Sequence, residues 1–213
     1  MKPESLTETS LALAAAELAD RDRYLRRIFT SYGPPPLWAR KPGFPTLINI
    51  ILEQQVSLRS AASMFARLQQ NIIPFHAARF SELGPGFLRS LGLTRQKTTY
   101  CLHLAEALVS KQLNLKRLHR MSDEEVKADL IKLKGIGSWS ADIYLLMALL
   151  RPDIWPSGDL ALAVAVADLK RLERPPKPEE LEKMARRWKP YRAVAARMLW
   201  QYYLAKRIST IAR

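Results

Sequence analysis

Two features of this 213-residue chain have the residue types and spacing to do chemistry. The first is the run Lys134, Gly135, Ile136, Gly137 and Ser138, a Gly-x-Gly turn between two apolar patterns of helical period. Its glycines permit a tight turn with no side chain between the backbone and a ligand. The helix that starts at Ser138 offers unpaired N–H groups and a positive dipole end, which together suit a phosphate. Ile136 plugs the space beneath the turn, and Lys134 adds a nearby cation. The second feature is Asp159, which follows Pro152, Pro156 and Gly158 and opens another apolar run. A carboxylate there is either an ordinary helix cap or a catalytic anion, and a helix start favours its ionised form. Any two helices can be joined by Gly-x-Gly, so the turn alone does not choose a ligand.

The two features can belong to one site. A helix from Ser138 to Leu150 is about 20 Å long, and the extended connector 151–158 reaches on the order of 26 Å. The chain can therefore return Asp159 to the start of the hairpin helix, beside Trp139. Around these features the apolar spacing predicts helices throughout. Ser5 to Glu8 fits a capping box, and Ser122 to Glu125 fits a second one that opens the first helix of the hairpin. Helices are expected over 22–30, 94–111, 160–172, 179–188 and 191–208. The segment 46–68 reads as two helices broken around Gln55, Val56 and Ser57, with Ser57 capping the second and with Gln54 and Gln55 where the chain turns. Short elements occupy 74–91. The stretch Tyr32–Pro45 holds five prolines and two glycines and reads as an extended connector carrying Trp38 and Phe44. With no strand alternation and no internal repeat, the fold class is all-α with about ten helices.

Composition narrows the partners. The chain has 34 Lys and Arg against 20 Asp and Glu, a formal net charge of +14. That excess points to a polyanion, because neutralising phosphates releases counterions. From Met184 onward the basic residues are Arg186, Arg187, Lys189, Arg192, Arg197, Lys206, Arg207 and Arg213, with no acid and with aromatics interleaved. Singly these are solvated surface charges; together they favour phosphate. The single cysteine, Cys101, excludes an intrachain disulfide and reads as a small buried side chain. His76, His103 and His119 lack metal-ligand spacing, so neither a metal nor a cofactor is expected. The first 22 residues resemble neither a secretory signal nor a membrane span, and an intracellular, cytoplasmic protein is expected, nucleoid-associated if bacterial.

The segment LKGIGSWSADIYLLMALLRPDIWPSGDLAL (133–162) resembles the helix-hairpin-helix and Gly/Pro-rich-loop-Asp motif of the DNA glycosylase superfamily. INIILEQQVSLRSAASMFARL (48–68) and RWKPYRAVAARMLWQYY (187–203) resemble two further helical segments of its 3-methyladenine DNA glycosylase II branch. The three matches occur in the family's order and span about Pro45 to Tyr203. The bacterial prototype's N-terminal β-rich domain has no counterpart in the short helical segment here. The resemblance implies two lobes flanking an active-site cleft, 46–170 and 1–45 plus 171–213, within a single compact catalytic unit. It also implies roles. Asp159 matches the aspartate that stabilises positive charge on the deoxyribose. Gly135 and Gly137 match the backbone-binding hairpin. Trp200 matches a base-pocket tryptophan, and Gln55 falls where a residue wedges into the duplex after base extrusion. Trp139 stands where bifunctional relatives carry a Schiff-base lysine, so a lyase step is not expected. With Trp200 it is the second pocket candidate. Tyr144, Trp155 and Trp38 read as core or rim, and Ile143 replaces a common tyrosine in a way that alters the pocket.

The expected function is a monofunctional glycosylase that hydrolyses the N-glycosidic bond of alkylated bases in double-stranded DNA, acting as a monomer. Methylated purines suit an aromatic pocket, because a cationic ring gains cation–π attraction and is already an activated leaving group. A non-catalytic binder of distorted DNA and a bifunctional glycosylase/AP lyase are the competing expectations.

Overall fold

The computed structural model describes residues 4–211, with side chains as far as Arg207. Among these residues the chain is helical, with no β-strand, as the missing period-two alternation predicts. The α-helices are α1 (Glu8–Arg21), α2 (Arg23–Tyr32), α3 (Phe44–Glu53), α4 (Leu58–Asn71), α5 (Ala77–Ser81), α6 (Pro85–Ser90) and α7 (Arg95–Val109). They continue with α8 (Leu115–Leu118), α9 (Asp123–Ile131), α10 (Ser138–Met147), α11 (Leu160–Lys170), α12 (Pro178–Ala185) and α13 (Arg192–Ile211). A 3-10 turn at Arg186–Trp188 links the last two. More helices form than were expected because α5, α6 and α8 have five, six and four residues, too few to display a period.

Side-chain caps mark where the helices start. Ser57, Thr94 and Ser122 accept from the third helical N–H of α4, α7 and α9, and Glu125 closes the expected box by accepting from the Ser122 N–H at 2.8 Å. At α1 the expected box is displaced by two residues. Thr7 is the cap, and Ser10 rather than Glu8 completes the pair. The cause is Leu6, which is buried and whose N–H donates to the Leu150 carbonyl at 2.8 Å. That bond holds the backbone before Thr7 outside the helix.

The chain forms two compact units. The hairpin unit, Arg40–Leu149, contains α3 to α10; the terminal unit contains Glu4–Ala39 and the chain from Leu150. The segment 150–170, expected with the hairpin, belongs to the terminal unit, because α11 packs along α13. Asp159 therefore lies in the terminal unit.

Within the hairpin unit, α10 is buried at every position from Ser140 to Met147. A helix covered on all sides is a core helix, and α3 and α9 pack against it. Phe44, Phe65, Phe75 and Phe80 interlock with ring centroids 5.4 to 6.0 Å apart, an aromatic arrangement worth more than its buried area alone. Within the terminal unit α13 is the axis, buried from Ala193 to Trp200, with α1, α2 and α11 around it. Trp155 packs on Trp188 at 5.4 Å and is core. Among the described residues no helix is long and apolar enough to cross a membrane, and no cluster of His, Cys, Asp and Glu is placed to hold a metal ion.

Candidate active site

In the terminal unit the site is built on the start of α11. Asp159 is the N-cap of that helix, and its Oδ1 accepts from the Leu162 N–H at 3.0 Å. The same oxygen accepts from the indole Nε1–H of Trp200 at 3.2 Å. Asp159 thus caps a helix, as one expectation has it, and also bonds to the tryptophan singled out on α13. A cap needs only the backbone partner. The indole is an additional donor, carried by a residue 41 positions away. Asp159 and Trp200 are 9% and 8% exposed, so this carboxylate works in a largely dehydrated setting where its charge acts strongly.

Trp38 stands edge-on to Trp200, with centroids 6.5 Å apart and planes at 62°. It is half-buried, a rim position, and its backbone is left-handed at φ 48°. A bulky residue holds that conformation only when its surroundings impose it. One group that holds the connector here is Arg197, which is fully buried. Its guanidinium donates to the Leu37 carbonyl at 2.9 Å and to the Ala193 carbonyl at 3.1 Å, fixing the connector one residue before Trp38. Burial brings Arg197 down to about 10. The sequence reading placed Arg197 in a phosphate-facing set, and the structure corrects this: it is an internal tether. Arg192 is likewise engaged, in a two-pronged pair with Asp153 at 2.8 and 3.0 Å. Arg186, Arg187, Lys189, Lys206 and Arg207 are exposed, and Arg213 lies outside the described residues.

The hairpin unit carries the Gly-x-Gly turn. Between α9 and α10, Gly135 has φ 95°, and a Cβ there would come within 2.1 Å of the Tyr100 ring, so only glycine fits. Gly137 caps α10 without a side chain, and nothing lies within 4 Å of where its Cβ would be. The two glycines do different work: one turns the chain against Tyr100, and the other leaves the start of α10 bare. Ile136 is 4% exposed and plugs the turn as expected; Lys134 and Ser138 face solvent. Lys127 donates to both carboxylate oxygens of Asp142 at 2.7 and 2.9 Å, bracing α9 against α10. Trp139 is half-buried. Ile143 is 3% exposed, which leaves almost no surface for the selectivity role expected of it.

Gln55 is exposed with φ 57°, in a loop whose Val56 is 40% exposed, and Leu58 at the start of α4 is 61% exposed. The neighbouring Gln54 is bonded to the hairpin. The Gln54 side-chain amide donates to the Gly135 carbonyl at 2.8 Å and to the Ser140 hydroxyl at 2.9 Å. Behind it Lys97, 7% exposed, donates to the Leu52 carbonyl at 2.5 Å at the end of α3. A cavity of about 450 Å³ is lined by Gln54, Gln55, Tyr100, Lys134 and the hairpin backbone. Sequence reasoning did not find Lys97 or the contacts of Gln54. The only signal was a pair of amides at a helix end, which does not say where each one points.

Comparison with known proteins adds the family. The model described as HhH-GPD superfamily base excision DNA repair protein matches residues 48–190. DNA-3-methyladenine glycosylase 1 of Schizosaccharomyces pombe is 28% identical over 200 residues, covering 91% of this chain and 88% of the relative. DNA-3-methyladenine glycosylase of Bacillus subtilis is 28% identical over 123 residues, covering 58% and 41%. Of the first three curated relatives, the chain spans only 64%, 54% and 41% of their length. The solved S. pombe 3-methyladenine DNA glycosylase, in complex with abasic DNA, superposes with a TM-score of 0.82 at 24% identity, over 89% of this chain and 95% of the other. At that identity the likeness is one of fold.

Proposed function

This chain belongs to the HhH-GPD superfamily of base excision DNA repair proteins, and we propose that it is a monofunctional DNA glycosylase that removes alkylated bases. The observation that carries the proposal is the Asp159–Trp200 hydrogen bond. It joins a carboxylate to an aromatic wall, the two groups that the chemistry requires side by side.

In the proposed reaction the bond between C1′ of the deoxyribose and the base nitrogen breaks. The electron pair leaves with the base, and positive charge develops on the sugar. The carboxylate of Asp159 opposes that charge, an electrostatic contribution that a dehydrated and preorganised anion makes well. Water then bonds to C1′ and gives up a proton, which leaves an abasic site and a free base. A purine made cationic by methylation departs as a neutral molecule, so no strong acid is required. Trp200 and Trp38 give such a ring an aromatic surface with cation–π attraction. The stacking role expected of Trp139 stays part of the proposal, and its lack of an amine makes the enzyme a hydrolase without a lyase step.

The partner is double-stranded DNA carrying a damaged base. The bare start of α10 receives a backbone phosphate, and Gln55 fills the space vacated when the nucleotide turns out of the stack. The protein acts as a monomer in the cytoplasm, at the nucleoid in a bacterium. A duplex carrying a methylated purine tests the reading: wild type releases free base and Asp159→Asn does not. Equal release by both proteins removes Asp159 from the chemistry, and tight binding without any release makes the protein a sensor of damaged DNA.

A further inference from the structure

The loop that carries Gln55 is exposed from Gln55 through Ser57, as are the first residues of α4, so burial does not fix its direction. Its anchors do. Lys97 holds the Leu52 carbonyl from behind, and Gln54 reaches across to both sides of the hairpin turn, to Gly135 before it and to Ser140 in the first turn of α10. The Gly135 carbonyl can only accept, so the amide must present its NH₂ group. Gly135 in turn is seated on the ring of Tyr100, which stands one turn beyond Lys97 on α7. Hairpin, loop and α7 therefore meet in one junction whose centre is the Gln54 amide.

We propose that Gln54 is a positioning residue that couples the hairpin to the Gln55 loop, so that the grip on the DNA backbone sets where the loop tip enters the duplex. The proposal rests on the glycosylase reading and on Gln55 as the inserting residue. In physical terms, the hairpin binds phosphates whatever the state of the target base pair, whereas insertion pays only when a base pair must be opened. A residue that links the two matters in proportion to the cost of opening that pair.

The test measures single-turnover base release from two DNAs holding the same methylated purine, one with it paired in a duplex and one with it unpaired in a bulge. For Gln54→Leu, which keeps the volume and loses the donor, release from the paired duplex falls about tenfold, equivalent to about 1.4 kcal/mol. Release from the bulge stays within about twofold of wild type, because extrusion there is already cheap. A fraction of unfolded enzyme lowers both rates equally and leaves their ratio unchanged, so a folding defect cannot imitate the result. Gln54→Glu, which puts an acceptor against the Gly135 carbonyl, shows the same selective loss. An equal fall on both DNAs, or no fall on either, overturns the coupling role. A wild-type protein that releases base from neither DNA overturns the glycosylase reading itself.

Discussion

Arg197 donates from inside α13 to the carbonyl of Leu37, and that bond helps fix where Trp38 stands. Together with the bonds from Gln201 to the Tyr32 and Pro34 carbonyls it holds the five-proline connector that carries Trp38 in a left-handed conformation edge-on to Trp200. Arg197→Met keeps a long apolar stem but takes the donor from the Leu37 carbonyl, while the Ala193 carbonyl keeps its place in the helical ladder of α13. A buried carbonyl left unsatisfied costs about 1 to 3 kcal/mol, so a clear fall in the denaturation midpoint is expected. Trp38→Phe keeps an aromatic edge and should retain most activity. Trp38→Ala should lower kcat/KM for a methylated purine by about tenfold, the range of one aromatic or cation–π contact, with a much smaller loss of stability than Arg197→Met. If Trp38→Ala excises base as fast as wild type, Trp38 is no part of the base site.

Asp159 caps α11 and in the proposed function also serves the chemistry, and substitution can separate the two. Asparagine is as good an N-cap as aspartate, so Asp159→Asn should keep the Leu162 bond and unfold within about 0.5 kcal/mol of wild type. Base release should fall by a factor on the order of 10² to 10³, the size of losing one preorganised electrostatic group. Trp200→Phe keeps the ring surface and removes only the N–H that Asp159 accepts. Its rate should fall less, by about tenfold, since the charge remains and only its orientation is relaxed. Denaturant unfolding and single-turnover release on the same preparations check both. A stable Asp159→Asn with full activity would sink the assignment.

What could be read in advance followed the physics of each residue. Helix starts announced by Ser57 and Ser122 were legible because a cap is a local, short-range event. Asp159 was legible as a cap for the same reason. The resemblance gave Asp159 and Trp200 separate roles, and the bond between them was not read, since nothing local links residues 41 positions apart. Arg197 was misread because a buried arginine and a surface arginine look alike in sequence. Only the carbonyls of Leu37 and Ala193, one of them in a proline-rich connector, show that its charge is used internally. The displaced cap at Thr7 has a similar origin, a main-chain bond from Leu6 to a residue far along the chain.

The two hairpin glycines should fail in different ways. Gly135→Ala meets both a positive φ and the Tyr100 ring. Backbone strain alone costs about 1 to 2 kcal/mol, and displacing the ring adds to it, so the variant should be clearly destabilised. Gly137→Ala has ordinary extended geometry and open space around the new methyl, so its unfolding should match wild type. In the proposed function its methyl stands where the DNA backbone approaches, and affinity for a lesion duplex should fall at unchanged stability. Finding the loss of affinity in Gly135→Ala alone would show that the start of α10 is not the contact surface.

Stability at alkaline pH has a definite sign at Cys101. The thiol is fully buried, and burial raises it from 9.0 to about 12, against a smaller lowering from the charge of Lys97. Above pH 9 the unfolded chain gives up this proton while the folded protein keeps it, so stability falls as pH rises. The limiting slope is about 1.4 kcal/mol per pH unit for one proton. Tyr144, raised by burial from 10.0 to about 12, adds in the same sense at higher pH. Lys97, lowered by its burial from 10.5, acts oppositely, its contribution growing with pH up to that value. Comparison with Cys101→Ala removes these shared contributions, since Tyr144 and Lys97 are present in both proteins. The stability difference between wild type and Cys101→Ala should therefore shrink by about 1 kcal/mol between pH 8.5 and 10. Paired urea titrations measure it, and a difference that stays constant across that interval would mean the thiol ionises in the folded protein as readily as in the unfolded chain.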